Sequence, residues 1–197
     1  MKKGTMVLLG VLGVVVLLVM WGVGKYNSLV GLDQGVQSSW AQVENQYQRR
    51  ADLIPNLVNT VKGFAAQEKE VLTGVIEARA KATSIQVTKE VLEDPAAFQK
   101  FQSAQDQFSS AISRLMAVSE NYPVLRSNEN FMKLQDELAG TENRIGTERK
   151  RFNEVVQGYN TTRSTFPTML IANFAGFREK AYFKAKEGAD APPTVNF

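Results

Sequence analysis

Cysteine and histidine are both missing from the 197 residues. The first absence rules out disulfides, thiolate metal sites and a lipid anchor on cysteine, and it removes the usual guide to redox compartment. The second removes the commonest general base and the Glu-x-x-His pairs that di-iron bundles require. A histidine-based triad cannot be assembled; a serine–lysine pair is compatible with the composition, but no spacing points to one. A glycine-rich phosphate loop and a zinc-ligand spacing are also lacking. Neither sign of charge is in large excess: 23 basic against 20 acidic residues leave +3, spread along the chain rather than clustered as a nucleic-acid footprint. The composition therefore predicts a non-enzymatic protein with no catalytic residue, no cofactor, no metal and no nucleic-acid partner.

One stretch lacks charge altogether. Thr5 to Gly24 reads TMVLLGVLGVVVLLVMWGVG, and twenty residues at the helical rise span about 30 Å, the hydrocarbon thickness of a bilayer. Met1-Lys2-Lys3 ahead of it also suits a secretory signal. However, the run is longer than a signal's apolar region, and no A-x-A-like cleavage site comes after it. Trp21, Lys25 and Tyr26 instead suit a headgroup belt, so Thr5 to Gly24 is read as a retained single-pass transmembrane anchor. Lys2 and Lys3 before the span, against Lys25 just after it, place the soluble part on the extracytoplasmic side of a bacterial inner membrane by the positive-inside rule.

Beyond the anchor, apolar residues recur at helical spacing. Leu29, Leu32, Val36, Trp40, Val43 and Tyr47 form a first stripe that can continue directly from the membrane helix. Pro55 either kinks this helix or opens a new one, with Asp52 as its cap. A second stripe runs through Leu53, Leu57, Val61, Phe64, Val71, Leu72, Val75 and Ile76, with Glu68 on its apolar face as a structural polar contact. Asp94 and Pro95 supply the cap and first residue of a third helix, striped by Phe98, Phe101, Phe108, Ile112, Leu115 and Met116 and ended at Asn121-Tyr122-Pro123. A fourth, from about Ser127 to Asn160, carries Phe131, Leu134, Leu138, Ile145, Phe152, Val155, Val156 and Tyr159. Ile85 to Thr88 allows a short extended piece, but no segment sustains strand alternation. The expected fold is all-α: an N-terminal transmembrane helix, then an up-and-down antiparallel bundle of about four long helices with near-heptad, coiled-coil-like packing, then a short aromatic helix and an extended tail. The expected divisions are 1–25 (anchor), 26–160 (bundle) and 161–197 (aromatic segment and Pro-containing tail).

Several blocks resemble the LemA family of bacterial membrane-anchored proteins: Tyr26-Asn27-Ser28-Leu29-Val30, Trp40-Ala41-Gln42-Val43-Glu44, Arg49-Arg50-Ala51-Asp52-Leu53-Ile54-Pro55-Asn56-Leu57-Val58, Thr141-Glu142-Asn143-Arg144-Ile145, Gly158-Tyr159-Asn160, Phe166-Pro167, and the terminal Pro192-Pro193-x-Val195-x-Phe197. The resemblance implies a membrane helix and an antiparallel bundle. It implies no reaction, and it hints at a role in the bacterial envelope.

Two clusters are the candidates for function. Arg49, Arg50 and Asp52 on one side, and Glu142, Asn143 and Arg144 on the other, lie in the matched blocks and suit a register-setting polar network, with an arginine bridging to a carboxylate of the fourth helix. Phe166, Met169, Leu170, Phe174, Phe177 and Phe183, among Arg178, Lys180, Lys184 and Lys186, form an aromatic, basic segment that suits a cap on the bundle, an oligomer contact or a membrane contact. Thr168 is the expected cap of its short helix. Val195-Asn196-Phe197 has the form of a tail that adds to a peptide-binding sheet, although an ordinary tail accounts for it as well. The expected partners are further copies of the chain, membrane lipid and another membrane protein. The sequence thus reads as a self-associating membrane scaffold or adaptor; the alternatives are a regulatory partner of an envelope protease or sensor, and an unrecognised hydrolase.

Overall fold

The computed structural model describes residues 3–185; Met1-Lys2, Lys186 and the tail from Ala191 to Phe197 lie outside the described residues. Among the described residues there are seven helices and no strand: α1 (Lys3–Phe64), α2 (Lys69–Ser84), α3 (Lys89–Glu93), α4 (Pro95–Ser119), α5 (Pro123–Arg126), α6 (Glu129–Ser164) and α7 (Thr168–Phe174). The chain divides into two compact units, one built from residues 3–50 and 137–180, the other from 51–136 and 181–185.

In the first unit, the apolar segment and the first stripe are one helix. Gly22, Gly24 and Gly31 do not break it, because each sits at an ordinary helical φ and costs about 1 kcal/mol relative to alanine rather than a break. Leu29, Asp33, Val36, Trp40, Val43, Tyr47 and Arg50 are buried in alternating steps of four and three, and Ser39 is buried beside Trp40. They face Leu138, Thr141, Ile145, Phe152, Val156 and Tyr159 of α6, all buried, and Trp40 meets Phe152 edge-on at 5.6 Å. Each large apolar side chain withdrawn from water here contributes about 1.5–3 kcal/mol. Two of the α1 seam positions are charged, which is where the unit's chemistry begins.

In the second unit, Pro55 stands inside α1 and the helix runs through it; no new helix opens there, and Asp52 caps nothing. Proline has no N–H for the carbonyl four residues earlier. That carbonyl, on Ala51, accepts instead from Arg79 Nε at 2.7 Å, while Ile54, Leu57 and Val58 stay buried around the proline. The second stripe is broken, contrary to the continuous reading: residues 65–68 leave the helix and α2 begins at Lys69. At this point the stripe passes to Ala65, which is buried, whereas Phe64 and Ile76 are exposed; alanine anchors little, and the chain turns. α2 packs on α4, whose buried Phe98, Phe101, Phe108, Ile112 and Leu115 form the core. Gln105, also buried, donates to the α2 carbonyl of Ala82 at 3.2 Å, satisfying one of the orphan acceptors of a helix end. The start of α4 is as expected: Asp94 accepts from Ala96 and Ala97 N–H, with Pro95 in the first turn.

Candidate functional site

From Met6 to Val23 the large apolar side chains of α1 are exposed on every side, and this is the one helix of the described residues long and apolar enough to cross a membrane. Thr5, Trp21, Gly24 and Tyr26 are likewise exposed, and Lys25 is half-buried. Tyr26 meets Phe177 edge-on, ring centres 5.8 Å apart, so the C-terminal aromatic segment returns to the helix within one turn of the apolar span.

The two charged seam residues have different partners. Arg50, fully buried, donates to Glu142 of α6 at 2.7 Å and lies over the Tyr47 ring at 5.2 Å. Beside it, Arg49 forms an exposed pair with Glu137 at 3.7 Å, a carboxylate that the sequence pattern does not single out. Asn143 and Arg144 stand exposed on α6, where the Asn143 carbonyl accepts from Thr147; Asp52 is exposed and belongs to the other unit. Of the six candidate network residues, the structure brings together Arg50 and Glu142.

Asp33 forms the second charged contact. Its carboxylate lies 2.7 Å from Lys180 Nζ, both side chains almost wholly shielded from solvent, and its other oxygen accepts from Gln37 at 3.0 Å. Lys180 Nζ also sits 5.4 Å from the centre of the Tyr159 ring. The lysine is held there by its own backbone: Asn160 donates to the Lys180 carbonyl and accepts from the Lys180 N–H, each at 2.9 Å. Tyr159 donates to the Arg178 carbonyl at 2.8 Å and Arg163 to that of Phe177 at 3.1 Å. An extended segment that pairs with no strand thus finds its hydrogen bonds in side chains of α6. In the second unit, Gln102 does the same for Lys184, donating at 2.8 Å and accepting at 3.1 Å, and Phe183 packs against Phe98 at 4.8 Å.

Asp33 carried a usable sequence signal, since an acid one helical turn after Leu29 and three residues before Val36 falls on the apolar stripe and needs a cation. Asn160 and Gln102 carried none, because an amide in a helix looks the same whether it clamps a backbone or faces water.

The aromatic segment is divided. Phe177 and Phe183 pack as described, the latter buried, whereas Phe166, Met169, Leu170 and Phe174 of the same segment are exposed. Pro167 takes the cap position and Thr168 is the first helical residue, buried rather than capping. α7 ends on a tight reversal: Gly176 has φ +76°, its N–H bonds to the Asn173 carbonyl, and the Phe177 N–H bonds to that of Ala172. That is the Schellman pattern, with glycine at the left-handed position.

The second unit holds an open polar groove of about 650 Å³, lined by Gln99, Gln102, Ser103, Asp106, Gln107, Ser110, Arg114 and Lys184. It also holds a short relay in which Gln67 donates to Tyr122 and Tyr122 to Glu68, each at 2.8 Å. The Glu68 carboxylate holds the Tyr122 phenol above its usual value. Among the described residues no group of three acidic, histidine or cysteine side chains is placed to hold a metal.

Comparison with known proteins matches residues 39–197 to the LemA family. Magnetosome protein MamQ 2 of Paramagnetospirillum magneticum is 27% identical over 184 aligned positions, covering 85% of this chain and 68% of the relative. Magnetosome protein MamQ of Magnetospirillum gryphiswaldense matches at the same level. Protein LemA of Metamycoplasma hominis is 22% identical over 165 positions, covering 84% of this chain and 71% of its own.

Proposed function

The chain belongs to the LemA family, and from that premise we propose that it is a non-enzymatic scaffold of the bacterial envelope: a single-pass protein that self-assembles and displays a helical bundle at the membrane surface. The observation that carries this reading is the continuity of α1. One unbroken helix supplies both the apolar span and half of the first unit's buried seam. An anchor of that kind fixes the attitude of the bundle instead of merely tethering it, as a positioning protein requires.

The buried charges support the same reading. Buried Asp33 and Lys180 pair with each other, and buried Arg50 pairs with the partly exposed Glu142, so they serve register rather than turnover. Assembly would use the exposed apolar surface of α1, with another membrane protein as a second class of partner. The inner membrane is the proposed location and the extracytoplasmic side the proposed side, supported by the lysines that precede the span.

Light scattering on detergent-extracted protein tests assembly: a particle larger than one chain plus its micelle is expected, and a monomer at all concentrations would sink the scaffold reading. Crosslinking in native membranes that returned a different membrane protein ahead of a second copy would transfer the reading to a regulatory subunit. Sidedness is tested by placing a thiol at Asn143→Cys, exposed on α6, in a chain that has no other. Labelling by an impermeant reagent in osmotically opened cells with an intact inner membrane is expected; protection until that membrane is lysed would reverse the orientation.

A further inference from the structure

The short helix α7 is built inside out. Its inward positions are small, Thr168 and Ala172, 5% and 0% exposed. Its outward positions are bulky and apolar: Phe174 is 97% exposed, Phe166 just before the helix 73%, and Leu170 between them 58%. Four-residue spacing puts Leu170 and Phe174 on one face, about half a turn from Thr168 and Ala172. Folding for its own sake would choose the reverse arrangement, with the bulky apolar side chains inward and the small ones outward.

The location of this face decides what covers it. Phe177, three residues past Phe174, lies against Tyr26, and Tyr26 comes two positions after the last residue of the apolar span, about 3 Å along the helix axis. The glycine reversal at Gly176 pins Phe177 to α7 through the bond to Ala172. The short helix is therefore held, through Phe177 and Tyr26, near the end of the apolar span, where Trp21 and Lys25 flank the span on α1 and the exposed Arg178 follows Phe177 in the chain. Those are the residue types of a headgroup belt.

We propose that Phe166, Leu170 and Phe174 are seated in the bilayer interface next to the anchor's exit, as a second, shallow membrane contact of the same chain. The occupant of the face is lipid, because the Tyr26–Phe177 contact holds α7 beside the end of the apolar span. The contact rests on the reading of α1 as a membrane span and adds a function to it: two separated attachments, one through the bilayer and one into its surface, remove the tilt freedom that a single helix leaves.

The test uses the full chain in phosphatidylethanolamine–phosphatidylglycerol vesicles whose acyl chains are brominated at a shallow or a deep position. Single thiols are introduced by Phe174→Cys, by Gly13→Cys in the middle of the span, and by Asn143→Cys as an exposed reference, each carrying an environment-sensitive fluorophore. Shallow bromines are expected to quench the label at 174 to below about half its intensity in unbrominated vesicles, as interfacial burial requires, and to leave that at 143 unchanged. Deep bromines are expected to quench the label at 13. If the label at 13 is quenched and that at 174 behaves like 143, the anchor stands and the second contact is wrong. If the label at 13 escapes as well, both readings fail. Protection of 174 from aqueous iodide without lipid quenching means that a second copy covers the face, and this too overturns the proposal. A Phe166→Ser/Phe174→Ser variant that keeps its melting temperature in detergent but loses bilayer protection of a label at Leu170→Cys supports a lipid role; loss of the melting transition assigns the rings to the fold instead.

Discussion

Asp33 and Lys180 meet at 2.7 Å, both side chains almost wholly shielded from solvent. Removing one partner leaves the other buried and uncompensated, at a cost of about 3–5 kcal/mol, whereas an apolar pair of similar volume is often neutral or better. Urea unfolding should therefore show Asp33→Asn losing several kcal/mol and Asp33→Leu/Lys180→Met recovering most of the loss; equal destabilisation of both variants would mean that the pair itself, not the stranded charge, carries the stability. Tyr122 supplies a pH dependence. Its phenol pKa is raised by the bond to Glu68, so the folded state holds the proton more tightly than the unfolded chain. Its contribution to stability is full below pH about 10, the ordinary tyrosine value, and is lost as pH rises through the folded value. A difference titration of wild type against Tyr122→Phe, followed by phenolate absorbance, should place the missing transition above the usual tyrosine range; a transition at or below it would contradict the Glu68 bond. At this scale the sequence was only partly legible. Arg50 was visible as a candidate bridge to α6. Asp33 could have been found from its place on the stripe, but its partner Lys180 is far along the chain, and helical periodicity carries no information across such a distance.

Among the helices, α1 shows how a proline can be accommodated. Arg79 takes the carbonyl of Ala51 that Pro55 leaves without a donor. Arg79→Met should cost about 1.5–3 kcal/mol, the range for a hydrogen bond to a charged group. Adding Pro55→Ala should then return most of the loss, because residue 55 regains an N–H; a double variant no more stable than Arg79→Met would show that the arginine matters for some other contact. At the other end of the chain, Gly176→Ala should cost about 1–2 kcal/mol through its left-handed φ, read as a lower melting temperature. Helix starts and stops with local chemistry were legible: Asp94-Pro95 capped α4 as its residues dictate, and the all-α class came from period alone. The break at residues 65–68 was not, because it depends on Ala65 taking a buried position beside Phe64, and local pattern favours the larger residue. The fate of Phe183 was equally hidden, since its burial depends on tertiary contacts such as that with Phe98.

For the whole molecule, the proposed membrane residence rests on the uncharged run of α1, a helix that composition alone makes legible. Each arginine at the centre of a span costs about 2.5–3.5 kcal/mol on insertion scales, so Gly13→Arg/Val16→Arg should move the protein from the carbonate-resistant membrane fraction to the supernatant; retention of the double variant in the pellet would shift the weight of attachment to another part of the chain. The absence of a linker after the span has a further consequence. A helix has no swivel: every residue added to it turns the remainder of the helix by about 100°. One alanine inserted between Gly24 and Lys25 would rotate Tyr26 and the seam of Leu29, Val36 and Trp40 away from their present bearing on the bilayer, whereas seven would restore it to within about 20°. On the proposed membrane reading, the span would act as a compass needle as well as an anchor: the azimuth at which α1 leaves the bilayer would decide which side of the first unit a neighbour meets.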